Sequence, residues 1–460
     1  MNKTYQKALH IFRRDLRLHD NTALIHALAN ADSVIPCFIF DTRQIEQNDY
    51  KSDNCIQFMV HSLQDLQQQL QDKKARLFFF YGIAEEIVAK LIQQENIQAV
   101  YVNRDYTPFS RERDQKIKRV CEKNNVDFHS HADALLHEPE EIHKPDGQPY
   151  TVYTHFYNKA CVNPVALPKK NNQANYFTSD MTLADHSIMK KLSQKNNLNL
   201  FVKGGRKEAT TLLRKIDTLK NYADIRNIPA LNGTSTLSAH NKFGTLSIRE
   251  LHAAIIHDFG AEHTLIKELY WRDFFTHIGY HFPHVFGQAF QKRYAHIQWS
   301  NNEKKFRAWC EGRTGFPIVD AGMRELNTTG YMHNRVRMIT ASFLVKDLHI
   351  DWRWGEKYFA QKLVDYDPAV NNGNWQWAAS TGCDAQPYFR IFNPWMQQKK
   401  FDGDCLYIKK WIPELAKIPA QEIHALEKNV PLFMTNYPAP IINHAEESKK
   451  TKLLYAHCKT

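Results

Sequence analysis

Residues 366–382 read YDPAVNNGNWQWAASTG, where Asn371, Asn372 and Asn374 surround Gly373 and Trp375 and Trp377 stand two residues apart. An amphipathic helix would space its apolar residues at three and four. A strand would put both Trp on one face, but Asn and Gly disfavour strands. Side-chain amides crowded beside large aromatics read as a pocket wall. A second chemical cluster is NGTSTLS, in which Thr234, Ser235, Thr236 and Ser238 offer four hydroxyls within five residues, a density suited to a phosphate near a helix start. Helix capping accounts for one or two of them at most; Ser247 and Glu250, further on, form an S-x-x-E capping box that needs no ligand. In LIKELYWRDFF, Glu268, Trp271, Arg272 and Phe275 share a helix face, and in MHNRVRMITASF so do Asn334, Arg337, Met338 and Ala341. Two such mixed faces suit the walls of a cofactor site; the plain alternative for each is a buried ion pair in a core.

Other patterns narrow the chemistry by what they lack. FRRDLRLHDN follows the first apolar run and carries three arginines, but neither GxGxxG nor GxxxxGK[ST] is present, so these arginines read as a charged loop or a domain-interface set. His277, His281 and His284 have no further ligand at a useful spacing, and the eight cysteines form no CxxC, so no metal site is expected. The cysteines read as reduced thiols of a cytoplasmic protein. No stretch approaches the roughly 18 apolar residues of a membrane span, and the N-terminus lacks the apolar run of a signal peptide. The formal charge of +11 points to an anionic partner, for which phosphate backbones are the best match, or simply to a solvated basic surface.

The elements that must position these residues change type along the chain. ALHIF (8–12), SVIPCFIF (33–40), RLFFFYG (76–82), AVYVN (99–103) and VDFHS (126–130) alternate with helical patterns at 52–71, 84–95 and 110–124, which predicts an α/β, Rossmann-like domain with a parallel sheet over 1–130. Residues 131–200 are rich in Pro, Asn, Asp and Lys and read as a connector. From 201 to 460 helical patterns dominate, giving an all-α region that holds all nine Trp.

Taken together, ELYWRDFF, GRTGFPIVDAGMRELNTTGYMHNRVRMITASFLVKD, DWRWGEKYF and DYDPAVNNGNWQWAASTGCDAQPYFRIFNP resemble the photolyase/cryptochrome flavoprotein family, most closely its class I cyclobutane pyrimidine dimer photolyases. The likeness runs from FRRDLRLHDN to NYPAP. It implies an α/β antenna domain, a helical FAD domain and light-driven repair of UV-damaged DNA by an electron passed from reduced FAD to a flipped-out dimer.

Residue by residue, the resemblance implies FAD contacts at Tyr222, Thr234, Ser235, Thr236, Leu237, Ser238, Trp271, Arg272, Asn334, Arg337, Asp365, Tyr366, Asp367 and Asn371. Arg337 and Asp365 match the salt bridge beside the flavin, and Asn371 the position facing flavin N5. Glu268, Trp271, Asn334, Met338 and Trp377, with Arg272 beside them, resemble the lesion pocket, and Arg226 and Arg335 the DNA contacts. Glu268 and Asn371 stand as the catalytic pair. Trp375, Trp352 and Trp299 match the electron-transfer chain. A second antenna chromophore, methenyltetrahydrofolate or a deazaflavin, belongs to the family, but Thr107 stands where folate-binding relatives carry Glu. The SPxL run is altered to SAHN at Ala239 and Asn241, and Tyr331 replaces a common Trp. A (6-4) photolyase would carry His at the sites of Asn334 and Met338; a cryptochrome photoreceptor is the alternative reading. A monomer without membrane association is expected.

Overall fold

Five apolar runs of the N-terminal region form parallel strands, as their composition predicts. The computed structural model describes residues 3–185, 187–427 and 436–459. The strands are β1 (Tyr5–Phe12), β2 (Ala31–Phe40), β3 (Phe78–Tyr81), β4 (Ala99–Asn103) and β5 (Asp127–His131), in the order β3-β2-β1-β4-β5. Leu9 pairs with Ile35 on one side and Val100 on the other. Helices cover both faces of such a sheet, so its central strands are apolar on both sides rather than alternating. Helices Thr22–Asn30, Asp53–Gln71 and Pro108–Lys123 start where Asn21, Ser52 and Thr107 accept a backbone N–H.

The chain divides into two compact units. The first comprises residues 1–197, 202–220 and 235–283, so it holds the sheet together with the helices Ile248–Phe259 and Thr264–His281. Within 131–200 the helix Tyr153–Ala160 buries Tyr153, Phe156 and Ala160. The three arginines after β1 are structural. Arg13 pairs with Asp114, Arg14 with Asp105 at 3.2 Å, and Arg17, 1% exposed, with Asp133 at 2.6 Å. Asp133 also accepts from Arg249 at 2.8 Å and from the N–H and hydroxyl of Thr22. Burial by itself would raise the Asp133 carboxyl, yet Arg17 and Arg249 hold it below its ordinary value.

The second unit comprises residues 198–201, 221–234 and 284–460 and is helical among the described residues. Its core gathers Trp309, Phe316, Trp352, Phe359, Trp375 and Trp395. Helix Trp352–Lys362 lies against helix Pro368–Ala378 with Gly355 at the contact, where a Cβ would come within 2.1 Å of the Trp375 ring. Only glycine admits that approach. The helix Asn334–Ser342 runs on into a π-helical turn, Phe343–Asp347, which carries two buried ionisable groups, Lys346 and Asp347. All eight cysteines are free, and no described helix is long and apolar enough to cross a membrane.

Candidate functional site

The expected site residues fall in both units, and each set is built by its own elements. In the first unit, His263 caps the helix Thr264–His281, which buries Leu265, Leu269 and Phe275 and leaves Glu268, Trp271 and Arg272 partly exposed. Trp271 lies flat on Tyr153, ring centroids 3.6 Å apart and planes within 6°, so one indole face is fixed by its neighbour. Arg272 donates from Nη1 to the Ala134 carbonyl at 2.6 Å, which orients the guanidinium. Ser235, Thr236 and Leu237 form the loop that enters the helix Ser238–Phe243, and Ser238 is exposed. Thr236 has φ +54, a backbone conformation that costs roughly 1–3 kcal/mol for a β-branched residue and that clusters at ligand-binding segments.

In the second unit, the helix Asn334–Ser342 exposes Asn334, half-buries Arg335, Arg337 and Met338, and turns Val336 and Ile339 into the core. Arg337 donates from Nη2 to Asp365 Oδ2 at 2.9 Å and from Nε to the Met332 carbonyl at 2.7 Å. Asp365 Oδ1 is buried and has no partner among the described residues. Tyr331, the replacement for Trp, stacks on Phe201 at 4.0 Å and hydrogen-bonds Thr234. Arg335 is held by Asn227 Oδ1 at 2.7 Å and lies over Phe401, while Arg226 lies over Tyr222.

The block 366–382 becomes the helix Pro368–Ala378. Its cap is Asp367, which accepts from the N–H groups of Ala369 and Val370 at 3.1 and 3.3 Å, with Pro368 at the first helical position. Tyr366, half-buried, precedes the cap. Asn371 Nδ2 donates to the Glu356 carbonyl at 3.1 Å. A carbonyl only accepts, so the amide is oriented and its Oδ1 is the end available to a ligand. Asn372 donates to Glu356 Oε1 at 3.0 Å and to the Val285 carbonyl at 2.9 Å, and Gln376 continues the ladder to Val285 and Gln288. This ladder explains the irregular spacing of residues 366–382: polar positions of the helix bind backbone carbonyls of its neighbours. Glu356, Gln376, Tyr153 and Asn227 were not singled out from the sequence, nor were the partners of Asn372.

Trp375 and Trp352 are 2% and 1% exposed members of one aromatic core, and Trp299 packs against it partly buried. Trp375 meets Phe359 edge to face at 4.9 Å and Trp309 at 6.2 Å. Trp377 is partly buried at the margin of the same core. Thr107 caps the helix Pro108–Lys123 and donates to Ser110 Oγ at 2.9 Å, so its hydroxyl is engaged in the helix start. No group of three metal-ligating side chains occurs among the described residues.

Burial pushes the Glu356 carboxyl up to about 7, against the hydrogen bond from Asn372 and the charge of Arg353, with Asp351 adding to the rise. The folded protein therefore holds this proton more tightly than the unfolded chain. The resulting stability is complete below the ordinary carboxyl value and is lost as pH rises toward 7. Glu356→Gln keeps an acceptor for Asn372 and removes the charge. Urea unfolding across pH 4.5–8 is expected to favour the variant increasingly, by up to about 3 kcal/mol at the alkaline end. Asp273 and Asp347 also titrate high, at about 7 and about 6, so the readout is the difference between variant and wild type.

Comparison with known proteins places the chain in one family. The sequence pattern described as the FAD binding domain of DNA photolyase matches residues 265–457, and that of DNA photolyase matches residues 8–171. A deoxyribodipyrimidine photo-lyase of a Synechococcus strain is 37% identical over 470 residues, covering 97% of this chain and 96% of that protein. The crystal structure of an archaeal photolyase from Sulfolobus tokodaii with two FAD molecules is 44% identical, with a TM-score of 0.88 over 98% of this chain and 100% of the other. A class III photolyase from Agrobacterium tumefaciens is 34% identical, with a TM-score of 0.91 over 100% and 98%.

Proposed function

The chain belongs to the photolyase/cryptochrome family, and from that premise we propose that it is a light-dependent repair enzyme, a deoxyribodipyrimidine photo-lyase of class I, acting with FAD on cyclobutane pyrimidine dimers in UV-damaged DNA. The observation that carries the reading is the Arg337–Asp365 pair with its orphaned Oδ1. A buried carboxylate oxygen without a donor is costly, and an N–H from a bound ligand would satisfy it. With Asn371 Oδ1 as a second acceptor, this set fits the N–H groups of a reduced flavin ring. Bound reduced FAD supplies the light-driven electron that opens the cyclobutane ring and then recovers it.

The chain's own residues provide position and charge. Arg337 keeps a fixed positive charge beside Asp365. Asn371 Oδ1 would accept from flavin N5–H, with its amide held in that orientation by the Glu356 carbonyl. Thr234, Ser235, Thr236, Leu237 and Ser238 are proposed for the phosphates; Tyr222, Tyr366 and Asp367, with Trp271, Arg272 and Asn334, complete the cofactor set. Glu268, Trp271, Asn334, Met338 and Trp377 would receive the dimer. Glu268 accepts from a pyrimidine N–H when ionised and also donates to a carbonyl when protonated. The dimer must leave the duplex stack to reach them, which costs least for a damaged pair. Arg226 and Arg335 would contact phosphates, giving salt-sensitive binding. Trp375, Trp352 and Trp299 would carry an electron inward when the flavin is oxidised. Engagement of Thr107 at a helix start weighs against folate as a second chromophore. The functional division follows 1–130, 131–200 and 201–460, and the protein acts as a cytoplasmic monomer. The absorption spectrum of the purified holoprotein tests this reading: flavin bands that bleach on illumination with a reductant are expected, and a protein that takes up no flavin on reconstitution contradicts it.

A further inference from the structure

The helix His444–Ala456 carries an arrangement that none of the flavin, lesion or electron-path residues uses. His444, its first residue, meets Asp347 Oδ1 through Nδ1 at 2.5 Å. Asp347 closes the π-helical turn and its carboxylate is wholly buried; its Oδ2 has no partner among the described residues. A carboxylate only accepts, so Nδ1 carries the proton and Nε2 presents its lone pair. One helical turn on, Ser448 Oγ lies 3.3 Å from Nε2. A serine in a helix commonly bonds the carbonyl four residues back; here the hydroxyl meets the imidazole. Both His444 and Ser448 are partly exposed.

We infer that Ser448, His444 and Asp347 form an acyl-accepting serine site, distinct from the repair chemistry, that takes small esters with good leaving groups. The roles follow from the atoms each group presents. Ser448 Oγ attacks the acyl carbon: the Oγ–C bond forms, the ester C–O bond breaks, and the hydroxyl proton passes to His444 Nε2 and then to the departing alkoxide. Water repeats the sequence on the acyl-serine, giving its proton to Nε2, and the carboxylic acid leaves as Ser448 regains its hydrogen. Asp347 is a positioning residue that acts through His444. The nearby N–H groups of Ala445 and Glu446 are taken up by the Asn443 side chain, so the leaving group must assist and unactivated amides lie outside the substrate class. The separation of 3.3 Å is long for proton transfer, as such contacts often are before a substrate closes them.

The test is to treat the full-length holoprotein in mildly alkaline buffer with a fluorophosphonate probe, which loses fluoride on attack, and to locate the adduct by peptide mass spectrometry. Ser448 is expected to be labelled well ahead of other surface serines, and Ser448→Ala to lose both that adduct and any turnover of 4-nitrophenyl acetate. His444→Ala is expected to slow labelling at Ser448 by at least about 100-fold, the usual contribution of a general base. Added imidazole should restore it, a result that a merely structural histidine would not produce. Labelling of Ser448 no faster than that of other surface serines, or unchanged in His444→Ala, overturns the inference, and so does ester turnover that survives Ser448→Ala.

Discussion

Trp375→Phe is expected to abolish light-driven reduction of the oxidised holoprotein while leaving repair by chemically reduced protein intact. Indole gives up an electron and then a proton far more readily than a phenyl ring, so Phe at this position should lower the rate of photoreduction by orders of magnitude. Trp375 is buried against Gly355, Phe359 and Trp309, and Phe fills much of the same space in an aromatic core. Repair needs no electron from Trp375 once the cofactor is reduced, so the two activities should separate. Photobleaching under steady light with an external reductant measures the first, and dimer reversal after chemical reduction measures the second. Loss of both in a folded, flavin-loaded variant would assign Trp375 a different role.

The largest effect on stability is expected from Asp133→Ala. Its carboxylate balances Arg17 and Arg249, and Arg17 is almost wholly buried. Removing one partner of a buried pair leaves an uncompensated charge, which costs about 3–5 kcal/mol. Arg249 keeps Asp20 at 2.8 Å, so the burden falls on Arg17. Because the folded-state carboxyl is held below its ordinary value, the contribution is present above about pH 4 and is lost as pH falls through the folded value. The difference in urea midpoint between wild type and variant should therefore shrink in acid. A midpoint unchanged at neutral pH would show that the network contributes nothing.

How far the sequence could be read depended on the range of the interactions involved. The five strands were legible because both faces of a parallel sheet demand continuous apolar runs, and the capping box at Ser247 because its two halves lie three residues apart. Asp367 and Pro368 show the same local logic at the start of the helix that carries Asn371. The amide ladder was not legible, because Asn372 and Gln376 take their partners from Glu356 and from carbonyls near Val285, far away in the chain. Tyr153 was hidden for a related reason: it lies in polar connector text, and only the fold stacks it on Trp271. The π-helical turn at Phe343–Asp347 shifts the side chains of an apparently regular helix, and a 3.6-residue period cannot register that shift. The three arginines after β1 could be recognised as a charged loop, but their carboxylate partners are supplied by distant segments.

Light-dependent reversal of cyclobutane dimers is read by comparing dimer content in UV-irradiated DNA incubated with the reduced protein in light and in darkness. Loss of dimers in the light alone is predicted; equal dimer loss in both, or none in either, would contradict the account.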